Sequence, residues 1–111
     1  MIIQTIVEIV KFYRIEDQII ISDKVLSIGT ELIANTVDAA QEKDVPVITI
    51  NGDEVKVEVG SVEHPSLEAH YIEFILLLTE GGMQLKWLKP GMKPEAVFKV
   101  TDKPVAAFEY M

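Results

Sequence analysis

At 111 residues the chain has room for one ordinary domain with a small appendage, and 49% hydrophobic residues are enough for a core that needs neither metal nor disulfide. The absence of cysteine excludes disulfides, thiolate metal sites, iron–sulfur clusters and cysteine nucleophiles. A formal net charge of −8 argues against nucleic acid and anionic membranes as partners, and it opposes an anionic substrate unless the site is locally basic.

The start, Met1-Ile2-Ile3-Gln4, lacks the basic residues of a signal peptide, and Glu8 interrupts the apolar run. The longest uncharged apolar stretch, Phe74 to Leu78, is too short to span a membrane. The expectation is a soluble, cytoplasmic protein. Ile2 to Tyr13 is rich in Ile and Val, which favours strand over helix, although the apolar positions do not settle the period. Asn35 or Thr36 is placed to cap a short helix running to about Glu42.

From Val45 onward the pattern is β throughout. Val45 to Ile50 is a β-branched run, and Asn51-Gly52 marks a tight hairpin, because a type I′ turn needs positive φ at both central residues. Val55, Val57 and Val59 alternate with Glu54, Lys56 and Glu58, a strand with one buried and one wet face. His64-Pro65 cannot lie inside a helix, whereas Pro65 to Ala69 suits one helical turn with proline near its start. Tyr71 to Leu78 is the most apolar strand and is expected to be central, with Ile72, Phe74, Leu76 and Leu78 on one face. Met83, Leu85 and Trp87 alternate with Gln84 and Lys86, and turns at Thr79 to Gly82, Lys89-Pro90-Gly91 and Asp102-Lys103-Pro104 separate further strands at Ala96 to Val100 and Val105 to Tyr110. Short strands about ten residues apart point to a Greek-key sandwich. No dinucleotide, phosphate-loop, zincin or nucleophile-elbow motif is present.

Four segments carry a resemblance. They are Glu42-Lys43-Asp44-Val45-Pro46-Val47-Ile48, Gly60-Ser61-Val62-Glu63-His64-Pro65, His70-Tyr71-Ile72-Glu73 and Glu109-Tyr110-Met111. Together they resemble the superoxide reductases, the family that includes the neelaredoxins and desulfoferrodoxins. In that family E-K-H-x-P supplies one histidine to a mononuclear iron, H-P-x-x-x-x-H-Y supplies two, and E-Y-C-N-x-H-G supplies an axial thiolate and a fourth histidine. The resemblance implies an immunoglobulin-like Greek-key β-sandwich of about seven strands over residues 35–111.

It also implies roles. His64 and His70 match two equatorial ligands, and Asp44 stands where a third imidazole belongs. Met111 takes the thiolate's place, and the sequence ends there, so the fourth imidazole is expected to be missing. Lys43 matches the lysine that attracts superoxide and assists protonation, and Glu42 matches the glutamate that binds the oxidised metal. Without the resemblance the same residues read as loop histidines, a turn aspartate and a solvated charge pair, with Phe74 and Trp87 as core.

Residues 1–34 resemble, more distantly, the small desulforedoxin-like domain that precedes the sandwich in desulfoferrodoxins and holds a second iron through C-x-x-C and C-C-G. Ile15 and Gln18 stand in the first cysteine places, Ser27 and Ile28 in the second, at shorter spacing. Ile2, Ile6, Ile9, Ile20 and Leu26 are expected to order this segment by apolar packing. Asn35 to Ala40 resembles the linker into the core.

Two functional readings follow. In the first, the chain is a desulfoferrodoxin/superoxide-reductase-like protein that has lost its iron centre and redox activity, needs no cofactor, and acts as a structural or interaction protein. In the second, His64, His70 and Asp44 keep a reduced site for iron or another metal, with Lys43 beside its open position and superoxide as the partner. The family habit implies a homodimer or homotetramer, which the strand edges would permit.

Overall fold

The structure is a computed structural model that describes residues 10–38, 47–59 and 71–110. It divides the chain into two compact units, Met1–Ala34 and Asn35–Met111. All regular structure among the described residues is β.

In the first unit, β1 (Lys11–Ile15), β2 (Gln18–Ser22) and β3 (Thr30–Leu32) form an antiparallel sheet in the order β2-β1-β3. Of the stretch Ile2 to Tyr13 read as strand, Lys11 to Tyr13 lie on β1, while residues 1–9, with Ile2, Ile6 and Ile9, lie outside the described residues. Ile15 pairs with Gln18, so Glu16-Asp17 is a two-residue hairpin loop, with Glu16 at φ 56°. Val10, Phe12, Tyr13 and Leu32 are buried, and Ile20 and Leu26 are half-buried. The Tyr13 hydroxyl accepts a 3.0 Å bond from the Leu26 amide and ties the Ser22–Gly29 loop to β1.

The second unit holds seven described strands. β4 (Asn35–Asp38), β7 (Phe74–Thr79), β8 (Gly82–Trp87) and β10 (Pro104–Tyr110) form one sheet in the order β4-β10-β7-β8. β5 (Val47–Asn51), β6 (Glu54–Glu58) and β9 (Glu95–Lys99) form the other, in the order β5-β6-β9. One buried cluster joins Ile75, Leu77 and Ala107 of the first sheet to Ile48, Val55, Val57, Ala96 and Phe98 of the second. The unit is therefore a two-layer sandwich. The chain changes sheet between β8 and β9 and again between β9 and β10.

The central placement of the apolar run holds: β7 lies between β10 and β8. It begins at Phe74 rather than Tyr71, although Glu73 is still bonded to the segments on both sides. The Glu73 amide donates to the Tyr110 carbonyl at 2.7 Å, and its carbonyl accepts from the Leu88 amide at 2.9 Å. All six β7 residues are buried, on both faces of the sheet. On β6 the alternation is as read, with Val55 and Val57 inward and Lys56 and Glu58 half-exposed.

Three expectations are corrected. The segment from Asn35 is a strand where a capped helix was expected, because Asn35 to Asp38 finds backbone partners on β10 (Ala106 to Glu109), a long-range pairing that outweighs local capping. The hairpin tip lies at Gly52-Asp53, one residue on, since Asn51 pairs with Glu54. Gly52 is at φ 65° and Asp53 has no positive φ, which is the pattern of a type II′ turn rather than I′. Phe74 is core, but Trp87 is 57% exposed, because β8 is an edge strand and its outer face lacks a neighbour on one side.

Candidate metal site

Glu42, Lys43, Asp44, His64, His70 and Met111 lie outside the described residues. The strands that adjoin them are described, and their registers say where the three segments attach. Val47 opens β5 directly after residues 39–46 and pairs with Glu58. Val59 precedes residues 60–70, and its amide donates to the Pro94 carbonyl at 2.8 Å, beside the Glu58–Glu95 pair. After residue 70 the chain re-enters at Tyr71 to Glu73 and starts β7 at Phe74, which pairs with Trp87 on one side and Tyr110 on the other. Tyr110 immediately precedes Met111.

The start of β5, the end of β6, the start of β7 and the end of β10 are thus one end of the sandwich. The loop from Leu88 to Pro94, which joins the end of β8 to the start of β9, crosses between the sheets at that same end. Glu73 bridges Tyr110 to Leu88 through its backbone, and Pro94 holds Val59. Segments far apart in sequence are therefore anchored together by antiparallel registers that local pattern cannot specify.

Two features of this end were missed in the sequence. Phe74, Trp87 and Tyr110 form an aromatic group: Phe74 meets Trp87 edge-on at 5.7 Å between centroids and stacks on Tyr110 at 6.0 Å. Glu109 is 3% exposed and shares the inner face with its register partner Ile75. A carboxylate is rarely buried at such a position. The available signal was a glutamate inside the otherwise apolar run Val105 to Tyr110. On the neighbouring edge, Lys86 Nζ lies 5.6 Å from the Phe98 ring centroid, a cation–π contact across the two sheets.

The donor chemistry can be compared with the iron that the resemblance implies. His64, His70 and Asp44 offer two imidazoles and a carboxylate, a set suited to a divalent metal in general. Met111 offers a neutral thioether where an anionic thiolate is required. The set does not fit a thiolate-ligated iron. Among the described residues no group of three or more His, Asp or Glu side chains is arranged to hold a metal ion.

The Desulfoferrodoxin family profile matches residues 36–110. The desulfoferrodoxin of Clostridium acetobutylicum is 48% identical over 88 residues, covering 75% of this chain and 70% of that protein. The desulfoferrodoxin of Desulfarculus baarsii is 51% identical over 76 residues, covering 68% of this chain and 60% of that protein, so the chain spans under two thirds of its length. The crystal structure of the superoxide reductase from Treponema pallidum aligns with a TM-score of 0.72 at 32% identity, covering 90% of this chain and 88% of that one.

Proposed function

This chain belongs to the desulfoferrodoxin family, and on that premise we propose that it is a superoxide-reductase-like protein that has given up the iron centre and the redox activity and serves as a structural or interaction protein. One observation carries the reading: the chain contains no cysteine, so both the axial thiolate position and the four amino-terminal thiolate positions are filled by other residues. Thiolate and thioether differ by a full charge at a metal, and that charge is what favours the ferric state. An apolar cluster that includes Ile75, Leu77, Val55, Val57 and Phe98 joins the two sheets and supports a fold that needs no metal, although Glu109 is also buried on the inner face.

The second reading is favoured by the retention of His64 and His70 together with Glu42 and Lys43, which adjoin Asp44 in sequence. In it, Asp44, His64 and His70 bind iron or zinc, and Lys43 draws an anion towards the open position. No helix among the described residues is long and apolar enough to cross a membrane; a cytoplasmic homodimer or homotetramer completes the proposal.

Metal analysis of freshly purified, unsupplemented protein separates the two readings. The first expects substoichiometric metal and no sulfur-to-iron charge-transfer absorption. One equivalent of iron or zinc, lost in both His64→Ala and His70→Ala, overturns it in favour of the second. Anaerobic loading with ferrous iron and rapid mixing with superoxide then reports activity directly. Fast stoichiometric oxidation with peroxide release would contradict the first reading.

A further inference from the structure

The two segments of the first unit that stand in the cysteine places of the resembled amino-terminal domain are in contact. Ile15 and Gln18 face each other as the closing pair of the β1–β2 hairpin. Gly29, directly after Ser27 and Ile28, adopts φ 70° and comes so close to β1 that a Cβ there would lie 2.6 Å from the Arg14 carbonyl oxygen and 2.6 Å from Ile15 Cγ1. Only glycine tolerates both the positive φ and the approach to backbone. The Ile15 side chain is therefore seated against Gly29, at the end of the Ser27–Gly29 bend.

The residues at this junction do not fit a metal. Ile15 and Ile28 have no donor atom. Gln18 and Ser27, both exposed, offer a neutral amide and a hydroxyl. An iron held by four thiolates needs four anionic sulfurs. Yet a unit this small needs something to hold its loop to its sheet, because a single small core leaves little margin. The structure supplies three substitutes: Ile15 against Gly29, the Tyr13 hydroxyl on the Leu26 amide, and the buried set Val10, Phe12, Tyr13 and Leu32.

We propose that hydrocarbon packing of Ile15 against Gly29, at the end of the Ser27–Gly29 bend, replaces the metal as the structural pin of the first unit, which is consequently folded, metal-independent and insensitive to redox state. Where a metal pins a domain, its binding free energy is folding free energy and a chelator unfolds it. Here a chelator has nothing to remove, and the pin is lost by trimming one side chain.

Amide hydrogen exchange on the full chain tests this. With and without excess EDTA, protection in β1, β2 and β3 is expected to be unchanged. Ile15→Ala is expected to speed exchange in β1 and β2 about tenfold, less than a fully buried isoleucine would give because Ile15 is half-buried, while β7 amides stay as they are. Gly29→Ala is expected to act on the same amides. If Ile15→Ala does not yield folded protein, Ile15→Val is expected to give a smaller loss confined to the same strands. Faster exchange in the first unit on adding EDTA, or unchanged protection in the Ile15 variants, overturns the proposal.

Discussion

The two sheets of the second unit are built from similar β-branched and aromatic residues, yet they meet their surroundings differently. In the three-stranded sheet, one face is core and the other is wet. Val55, Val57, Ala96 and Phe98 point inward, while Lys56, Glu58, Glu95 and Val97 point outward. In the four-stranded sheet, β7 and the adjoining part of β10 are buried on both faces. Ile75, Leu77 and Ala107 belong to the inter-sheet core, and Phe74, Leu76, Ala106 and Phe108 on the opposite face are as fully buried. Strict alternation marks a strand with one solvated face, whereas an uninterrupted apolar run marks a strand without one.

The comparison can be broken most decisively on β7. Leu77 faces the inter-sheet core and Leu76 faces the other side, and both are completely buried. Replacing either by Ala is expected to cost about 2–5 kcal/mol in denaturant unfolding, with the two values close to each other. A cost for Leu76→Ala well under that of Leu77→Ala would show that the outer face meets solvent, and the contrast between the sheets would vanish.

The three-stranded sheet is expected to give an asymmetric answer. Val57 is fully buried, and Val57→Ala should cost about 1–3 kcal/mol. Val97, 40% exposed on the outer face, should cost under about 0.5 kcal/mol when cut to Ala. Equal losses at these two positions would mean that this sheet too is covered on both sides.

At the edge of the four-stranded sheet, Trp87→Ala removes the edge-on contact to Phe74 from a half-exposed ring. A loss of about 0.5–1.5 kcal/mol is expected, smaller than for Leu76 although the side chain is larger. Thermal unfolding monitored away from tryptophan fluorescence measures it.

The smallest effect belongs to the wet face. Lys56 Nζ reaches Glu95 at 3.3 Å and Glu58 at 3.6 Å, and Lys93 approaches Glu95 at 3.7 Å. The bond to Glu95, then the charge of Glu58, raises the Lys56 pKa above its ordinary 10.5. A raised lysine pKa stabilises the fold fully below the unfolded value. That contribution is lost as pH climbs through the folded value, so the window lies above 10.5. Because the ammonium is exposed, Lys56→Met should leave stability at neutral pH almost unchanged and only flatten its decline in strong alkali. A clear loss at pH 7 in moderate salt would show that this network is more than a solvated surface.

The local signals were those that depend on neighbours in sequence. The Val55-Val57-Val59 alternation, the apolar run through Leu78 and the turn residues between strands all carry their meaning within a few residues, because side-chain direction on a strand has period two. Asn51-Gly52 announced a hairpin but not its register: the tip moved one residue because closure is decided by which pair the flanking strands can make, here Asn51 with Glu54. Asn35 has a good capping side chain and still became strand, since β10 offered an open edge. At the candidate site, His64, His70, Asp44, Lys43 and Glu42 are named by resemblance alone and lie outside the described residues. The buried Glu109 and the aromatic group of Phe74, Trp87 and Tyr110 were not legible in the sequence, because burial and ring contacts arise only when strands far apart in sequence pair.

The amino-acid sequence by itself determined that this is an all-β member of its family, with short strands separated by turn residues and no thiolate anywhere. Composition, periodicity and donor chemistry are properties of residues and their immediate neighbours, and they survive without coordinates. Tertiary structure alone decided that β7 is covered on both faces, that β8 leaves Trp87 exposed at an edge, and that the starts of β5 and β7 meet the ends of β6 and β10 at one end of the sandwich. Each of these is a matter of which distant strand supplies the hydrogen bonds and the apolar surface, and that competition is settled only when the whole chain packs.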